Sequence, residues 1–171
     1  MNASTFCSIC CTILLVSSCT VSLINRTIDY TVTKTFNIDQ FGVKNATAPP
    51  TSGLTFSEQL KTRILNNTKL TYLQDAEEAD LLFSGDVTGY QVAALAPQAN
   101  QTVALQQLTI QLTISYVNTK DETGQSNWTE NFSRFANFGA DQDLSTVEEQ
   151  LIEEVYDQVL DDVFNKAFSG W

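Results

Sequence analysis

The chain has 171 residues, 43% of them hydrophobic and 17% charged, which suits one globular domain rather than a disordered segment. It carries no histidine, so serine–histidine and cysteine–histidine nucleophilic sites are excluded and the commonest general base is missing. Nine basic residues against twenty acidic ones give a net charge of −11, which argues against nucleic acid as a partner, because phosphate binding needs clustered Lys and Arg.

The N-terminus is the most informative stretch. Phe6 to Val16 is an uncharged, mostly apolar run. It is too short for a membrane-spanning helix, which needs about 20 residues, but suits the apolar region of a secretion signal. Met1 to Phe6 contains no Lys or Arg, so only the α-amino group supplies the positive charge usual there. The run ends in Val16-Ser17-Ser18-Cys19, which resembles the lipobox of bacterial lipoproteins. The small residues admit a protease to the backbone, and the thiol accepts a diacylglycerol. All four cysteines, Cys7, Cys10, Cys11 and Cys19, lie in this region, unlike the spread of a disulfide-stapled domain. The expected organisation is a cleaved signal over 1–18, a tether over 19–30 with Cys19 lipidated, and one domain over 31–171. The sequons, such as Asn45-Ala46-Thr47 and Asn131-Phe132-Ser133, are read as chance in a chain rich in Asn and Thr.

Thr31 to Asp39, rich in Thr, Val, Phe and Ile, predicts a strand. The prolines and glycine of 46–53 predict a loop. Thr55-Phe56-Ser57-Glu58 has the pattern of a capping box, and Phe56, Leu60 and Ile64 then recur every four residues, predicting a helix with one buried stripe. Leu70 to Leu73 predicts a short strand, so strand, helix and strand suggest a parallel crossover unit. In Leu81 to Val92, Leu81, Phe83 and Val87 fall on one face and Tyr90 and Val92 on the other, a change of phase that predicts a bulge at Gly85 or Gly89. Leu108 to Tyr116 alternates strictly between apolar residues and Thr109, Gln111, Thr113 and Ser115, as in a sheet covered on one side. After a hairpin loop over 118–126, Asn127 to Phe135 is the return strand. A last helix is expected over Thr146–Ala167, with Ser145-Thr146-Val147-Glu148 as its capping box. Glu148 and Glu149 fall in its first turn and Lys166 in its last. Val147, Leu151, Val155, Val159 and Val163, widened by Ile152, Leu160 and Phe164, form the buried stripe, and Glu153, Glu154, Asp157, Asp161 and Asp162 the opposite face.

These elements predict an α+β two-layer sandwich: two amphipathic helices on one face of a mixed, mostly antiparallel sheet of four to five strands. The chain resembles the LPS-assembly lipoproteins of the LptE type in their Bacteroidota form. The resemblance is carried by Lys34-Thr35-Phe36-Asn37-Ile38 with Phe41, by DLLFSGDVTGY at Asp80–Tyr90, and by Ala104 to Ile110. It continues through FSRFANF at Phe132–Phe138, LSTVEEQLIEEV at Leu144–Val155, and Phe164-Asn165-Lys166-Ala167. It covers nearly all of the mature chain and lies in the sum of these stretches. Thr20 and Val21 stand where the family commonly has glycine and tyrosine.

The resemblance implies a lipid-anchored protein at the periplasmic face of the outer membrane. It would partner the large β-barrel of the LPS-assembly (LptD) type as plug and assembly factor, and contact lipopolysaccharide. It implies no catalysis, no metal and no cofactor beyond the diacylglycerol and N-acyl chain on Cys19. Lipid phosphates would call for Lys or Arg, and the candidates are Lys61, Arg63, Lys69, Lys120 and Arg134. An alternative in another class is a periplasm-facing lipoprotein that binds and activates a cell-wall synthesising enzyme. A hydrolase using paired carboxylates, Asp80 with Asp86 or Asp157 with Asp161, is a distant third. Substituting Cys19→Ala should abolish acylation and release the protein from the membrane fraction; mass spectrometry of the wild type should find the acyl mass on residue 19.

Overall fold

The computed structural model describes residues 28–96 and 104–169. The signal, Cys19 and the sequon at Asn100 lie outside the described residues. In chain order the elements are β1 (Thr35–Ile38), β2 (Gly42–Val43), α1 (Ser52–Asn67), β3 (Thr71–Tyr72), β4 (Leu81–Ala94), β5 (Leu105–Asn118), β6 (Trp128–Gly139) and α2 (Leu144–Phe168). They form one sheet in the order β3-β1-β4-β5-β6, with β2 also paired to β4. The pairs β1–β3, β1–β4 and β2–β4 are parallel and short, whereas β4–β5 and β5–β6 are long antiparallel ladders. This is the α+β sandwich with the expected parallel β1–α1–β3 unit. The extra strand, β2, is two residues long and too short to show a period.

The alternation of β5 sets the layers. Leu108, Ile110, Leu112, Ile114 and Tyr116 are all buried, while Thr109, Gln111, Thr113 and Ser115 stay at least partly accessible on the other side. Phe56, Leu60 and Ile64 of α1 are fully buried, as are Val155, Tyr156, Val159 and Val163 of α2. Both helices therefore cover the same face. Full burial of such a side chain contributes about 1.5–3 kcal/mol.

The break in phase along β4 is a register shift between Val87 and Gly89, so Thr88 is the unpaired residue. Its effect differs from the expected one: the extra residue returns Tyr90 and Val92 to the covered face, where Tyr90 is buried and Val92 packs on the core. Gly85 stays in register with Ile114 and serves another purpose. A Cβ there would lie 2.7 Å from the Phe41 ring, so its missing side chain is what admits that ring.

Both helices start earlier than the capping-box patterns suggest. In α1 the Thr55 N–H already bonds Thr51 O at 2.9 Å, so Thr55 is inside the helix and cannot cap it. In α2 the cap is Asp143, whose carboxylate accepts the Ser145 N–H at 3.0 Å and its hydroxyl at 2.9 Å. The earlier start leaves no acid in the first turn, while Lys166 does lie in the last. β1 is shorter than Thr31–Asp39, because Tyr30 to Val32 form a turn. Ile28, within the stretch read as tether, is buried in the core.

Leu112→Ala should destabilise the fold by about 2–5 kcal/mol, as truncation of a buried Leu does. Thr113→Ala should cost under about 1 kcal/mol, the loss of one exposed hydrogen bond. Chemical denaturation of the two variants checks this; equal losses would mean that both faces of the sheet are covered.

Candidate functional site

The face of the sheet without helices is an open surface on which a partner can lie. Strand parity and pairing place on it Ser84 and Gln91 of β4, Gln107, Thr109, Gln111, Thr113 and Ser115 of β5, and Thr129, Asn131, Ser133 and Asn137 of β6. Cross-strand bonds tie some of these together: Thr113 Oγ1 to Asn131 Oδ1 at 2.6 Å, Thr129 Oγ1 to Ser115 Oγ at 3.0 Å, and Gln107 Nε2 to Asn137 Oδ1 at 3.0 Å. Such pairs are the sheet's equivalent of neighbouring side chains on a helix. The ionised strand residue on this face is Asp86, held by Lys44 at 2.6 Å. Phe135 is its exposed aromatic ring.

The basic residues singled out in the sequence are mostly engaged elsewhere. Lys61 pairs with Glu58 at 3.3 Å and lies over the Tyr72 ring. Arg63 reaches from α1 to Asp157 at 3.1 Å and to Asp161. Arg134 of β6 pairs with Asp162 at 2.8 Å, and Lys120 with Asp80 at 3.0 Å. Lys69 is exposed and makes no ion pair among the described residues. These five residues form no common site. The acidic face of α2 is thereby partly spent inside the molecule: Asp157, Asp161 and Asp162 fasten α2 to α1 and β6, and Glu148 accepts the Tyr90 hydroxyl at 2.5 Å. Burial, followed by the bond to Glu148, pushes the Tyr90 phenol well above its usual range.

Asp80 and Asp86 do not form a pair, since each has its own cation. Asp80 is also no surface charge. It is buried and accepts the N–H groups of Lys34 at 2.7 Å and Thr35 at 3.0 Å, while its own N–H donates to Thr35 Oγ1 at 3.1 Å. Burial alone would raise its carboxyl, but the bonds from Lys34, Lys120 and Thr35 outweigh burial and bring it down to about 2. Asp80 thus joins the start of β1, the start of β4 and the hairpin loop. Asp157 and Asp161 share the guanidinium of Arg63.

Tyr156 escaped the sequence reading. It is fully buried, lies edge-on to Phe56 with centroids 5.1 Å apart, and donates its hydroxyl to Ser52 O at 3.1 Å. It stands four residues from both Ile152 and Leu160, in the row that widens the buried stripe of α2, and that spacing is the signal that could have found it. No described helix is long and apolar enough to cross a membrane.

Compared with known families, the chain matches the family described as LptE, lipopolysaccharide-assembly, over residues 23–167. The protein belongs to the LptE family. Among curated proteins, none matches the chain. Among solved structures it is similar to lipoprotein B from Nitrosomonas europaea, with 13% identity, a TM-score of 0.52, 85% of this chain covered and 86% of that one. It is also similar to a homolog of neuraminyllactose-binding hemagglutinin from Helicobacter pylori, with 11% identity, a TM-score of 0.54 and coverage of 82% and 86%. The rare lipoprotein B from Shewanella oneidensis aligns at 14% identity with a TM-score of 0.48, covering 77% of this chain and 92% of that one. At these identities the first two likenesses speak for the fold alone. The role that goes with the family is lipopolysaccharide assembly at the outer membrane, which favours the first reading over the alternative of a cell-wall-enzyme activator.

Asp80→Asn should lower stability by about 1–3 kcal/mol, because charge-assisted bonds to two backbone amides and Lys120 are lost. The wild type should lose this contribution as pH falls: a carboxyl lowered in the folded state stabilises above its unfolded value near 3.9 and ceases to do so as pH approaches about 2. Acid titration of the two proteins should converge below that window.

Proposed function

We propose that the protein is a non-catalytic lipoprotein, acylated on Cys19 at the periplasmic face of the outer membrane, that binds the lipopolysaccharide-assembly β-barrel through its open sheet face. The observation that carries this reading is the long polar face of β4, β5 and β6, on which the ionised strand residue, Asp86, is neutralised by Lys44. Hydroxyl and amide side chains can exchange water for partner hydrogen bonds at far lower desolvation cost than charged groups. A barrel lumen is polar and wet, so a surface of Thr, Ser, Asn and Gln suits it on both counts. The helices, fastened by ion pairs on the other face, would back the sheet and keep it rigid. The acyl chains confine the domain to the membrane that holds the barrel, raising its effective concentration there. Such a partner acts by occupying and ordering the barrel, and needs no acid, base or cofactor.

The lipid's phosphates are a further target within this reading. Lys61, Arg63, Lys120 and Arg134 would have to release their carboxylates to take one, which leaves Lys69 as the least encumbered of the five.

Thr113→Glu sets an unpaired charge in the centre of the open face and should cut copurification of the barrel at least tenfold, while leaving the thermal midpoint nearly unchanged. Deletion of the gene should lower the amount of assembled barrel and admit large antibiotics. Normal barrel levels in a clean deletion would overturn the proposal.

A further inference from the structure

We infer that the tether-proximal end of the domain is a membrane seat, in which Tyr30 and Val32 enter the interface of a phospholipid bilayer while Lys34 and Lys69 meet its phosphates. The inference rests on the lipid anchor at Cys19 proposed above and adds an orientation to it.

The first observation is where the chain enters. Ile28 is buried in the core, at the end of the molecule where Tyr116, Trp128 and Ala167 border the same cleft as Ile28 and Val32. Cys19 precedes it by nine residues, so the acyl chains lie within roughly 30 Å of this end. β4 and β5 have 14 residues each and run roughly 45 Å. The far end of the sheet therefore lies farther from Ile28 than the tether can stretch.

The second observation is apolar. The turn that follows Ile28 exposes Tyr30 by 44% and Val32 by 55%, two large apolar residues side by side at the chain's entry. Asp29 of the same turn is exposed, and its carboxylate is occupied locally, accepting the Thr31 N–H at 2.8 Å and its hydroxyl at 2.6 Å. A tyrosine beside an aliphatic residue is the composition that membrane interfaces favour.

The third observation is charge. Lys44, Lys61, Arg63, Lys120, Arg134 and Lys166 all hold carboxylates. Lys34 and Lys69 are the two cations without an ion pair among the described residues. Both sit here: Lys34 follows the exposed turn, and the Thr71 N–H on Lys34 O at 2.9 Å brings the start of β3, and with it Lys69, alongside. The two unpaired cations among the described residues thus flank the exposed Tyr30 and Val32, and neither lines the cleft that Asp29 and Asp121 border. Each lysine near an anionic bilayer strengthens attachment by about fivefold.

The test uses the lipidated mature protein in vesicles of phosphatidylethanolamine and phosphatidylglycerol. With Cys19 acylated no other thiol remains, so Val32→Cys can be labelled with an environment-sensitive dye. Leu54→Cys serves as control: it is 47% exposed but lies in the first turn of α1, beside the loop that meets Glu148 near the start of α2. The dye at 32 should shift to the blue and be quenched by spin-labelled lipid, and the dye at 54 should do neither. Adding Lys34→Gln and Lys69→Gln should weaken the seated state by about fivefold per lysine. If the protein floats with vesicles yet both dyes are equally open to aqueous iodide, the seat is overturned and the anchor stands. If it does not float and carries no acyl mass, both fall.

Discussion

β5 is paired along nearly its whole length on both sides, with β4 from Leu81 to Ala94 and with β6 from Trp128 to Gly139. Its two-residue alternation therefore dictates the faces of its neighbours as well as its own. A slip of one residue would send Leu108, Ile110, Leu112 and Ile114 to the open side and bring Thr and Gln under the helices. Burying those polar groups without partners costs several kcal/mol in all, so the register is strongly held. The covered face, the open face and the seating of both helices follow from that one strand.

The division of labour follows. Charge is drawn to the helix side, where Arg63, Arg134 and Lys166 bind acids across elements. Apart from the Asp86–Lys44 pair, the polar side chains of the open side hydrogen-bond without ionising. A surface of that kind keeps a low desolvation barrier toward anything polar and hydrated, and most of the ion-pair fastenings lie on the other side.

The elements that were legible in the sequence are those with repeated signals: the alternation of Leu108–Tyr116, the four-residue recurrence of Phe56, Leu60 and Ile64, and the stripe from Leu151 to Val163. What the sequence hid has physical reasons. Thr55 and Ser145 each stand three residues before a glutamate, but Thr51 O already accepts the Thr55 N–H and the carboxylate of Asp143 caps α2, so both helices start earlier. The shift at Thr88 was signalled as a change of phase, yet only pairing with β5 reveals that it returns Tyr90 to the core. Asp80 has the look of a surface acid because its partners, the amides of Lys34 and Thr35, lie 45 residues or more away. For the open face, Thr109 to Ser115 revealed its chemistry, while the contributions of β6, Asn131 and Phe135 among them, depended on register.

β6 closes one side of the sheet, and a long free strand edge is a template on which further chains can stack. Here two of its side chains on the covered face, Glu130 and Arg134, are ionised and held by Lys166 and Asp162 of α2, and the Phe135 carbonyl accepts Gln158 Nε2 at 3.3 Å. A foreign strand would have to displace the helix or bury those ions. The same salt bridges that fasten α2 thus act as guards against fibrillar self-association.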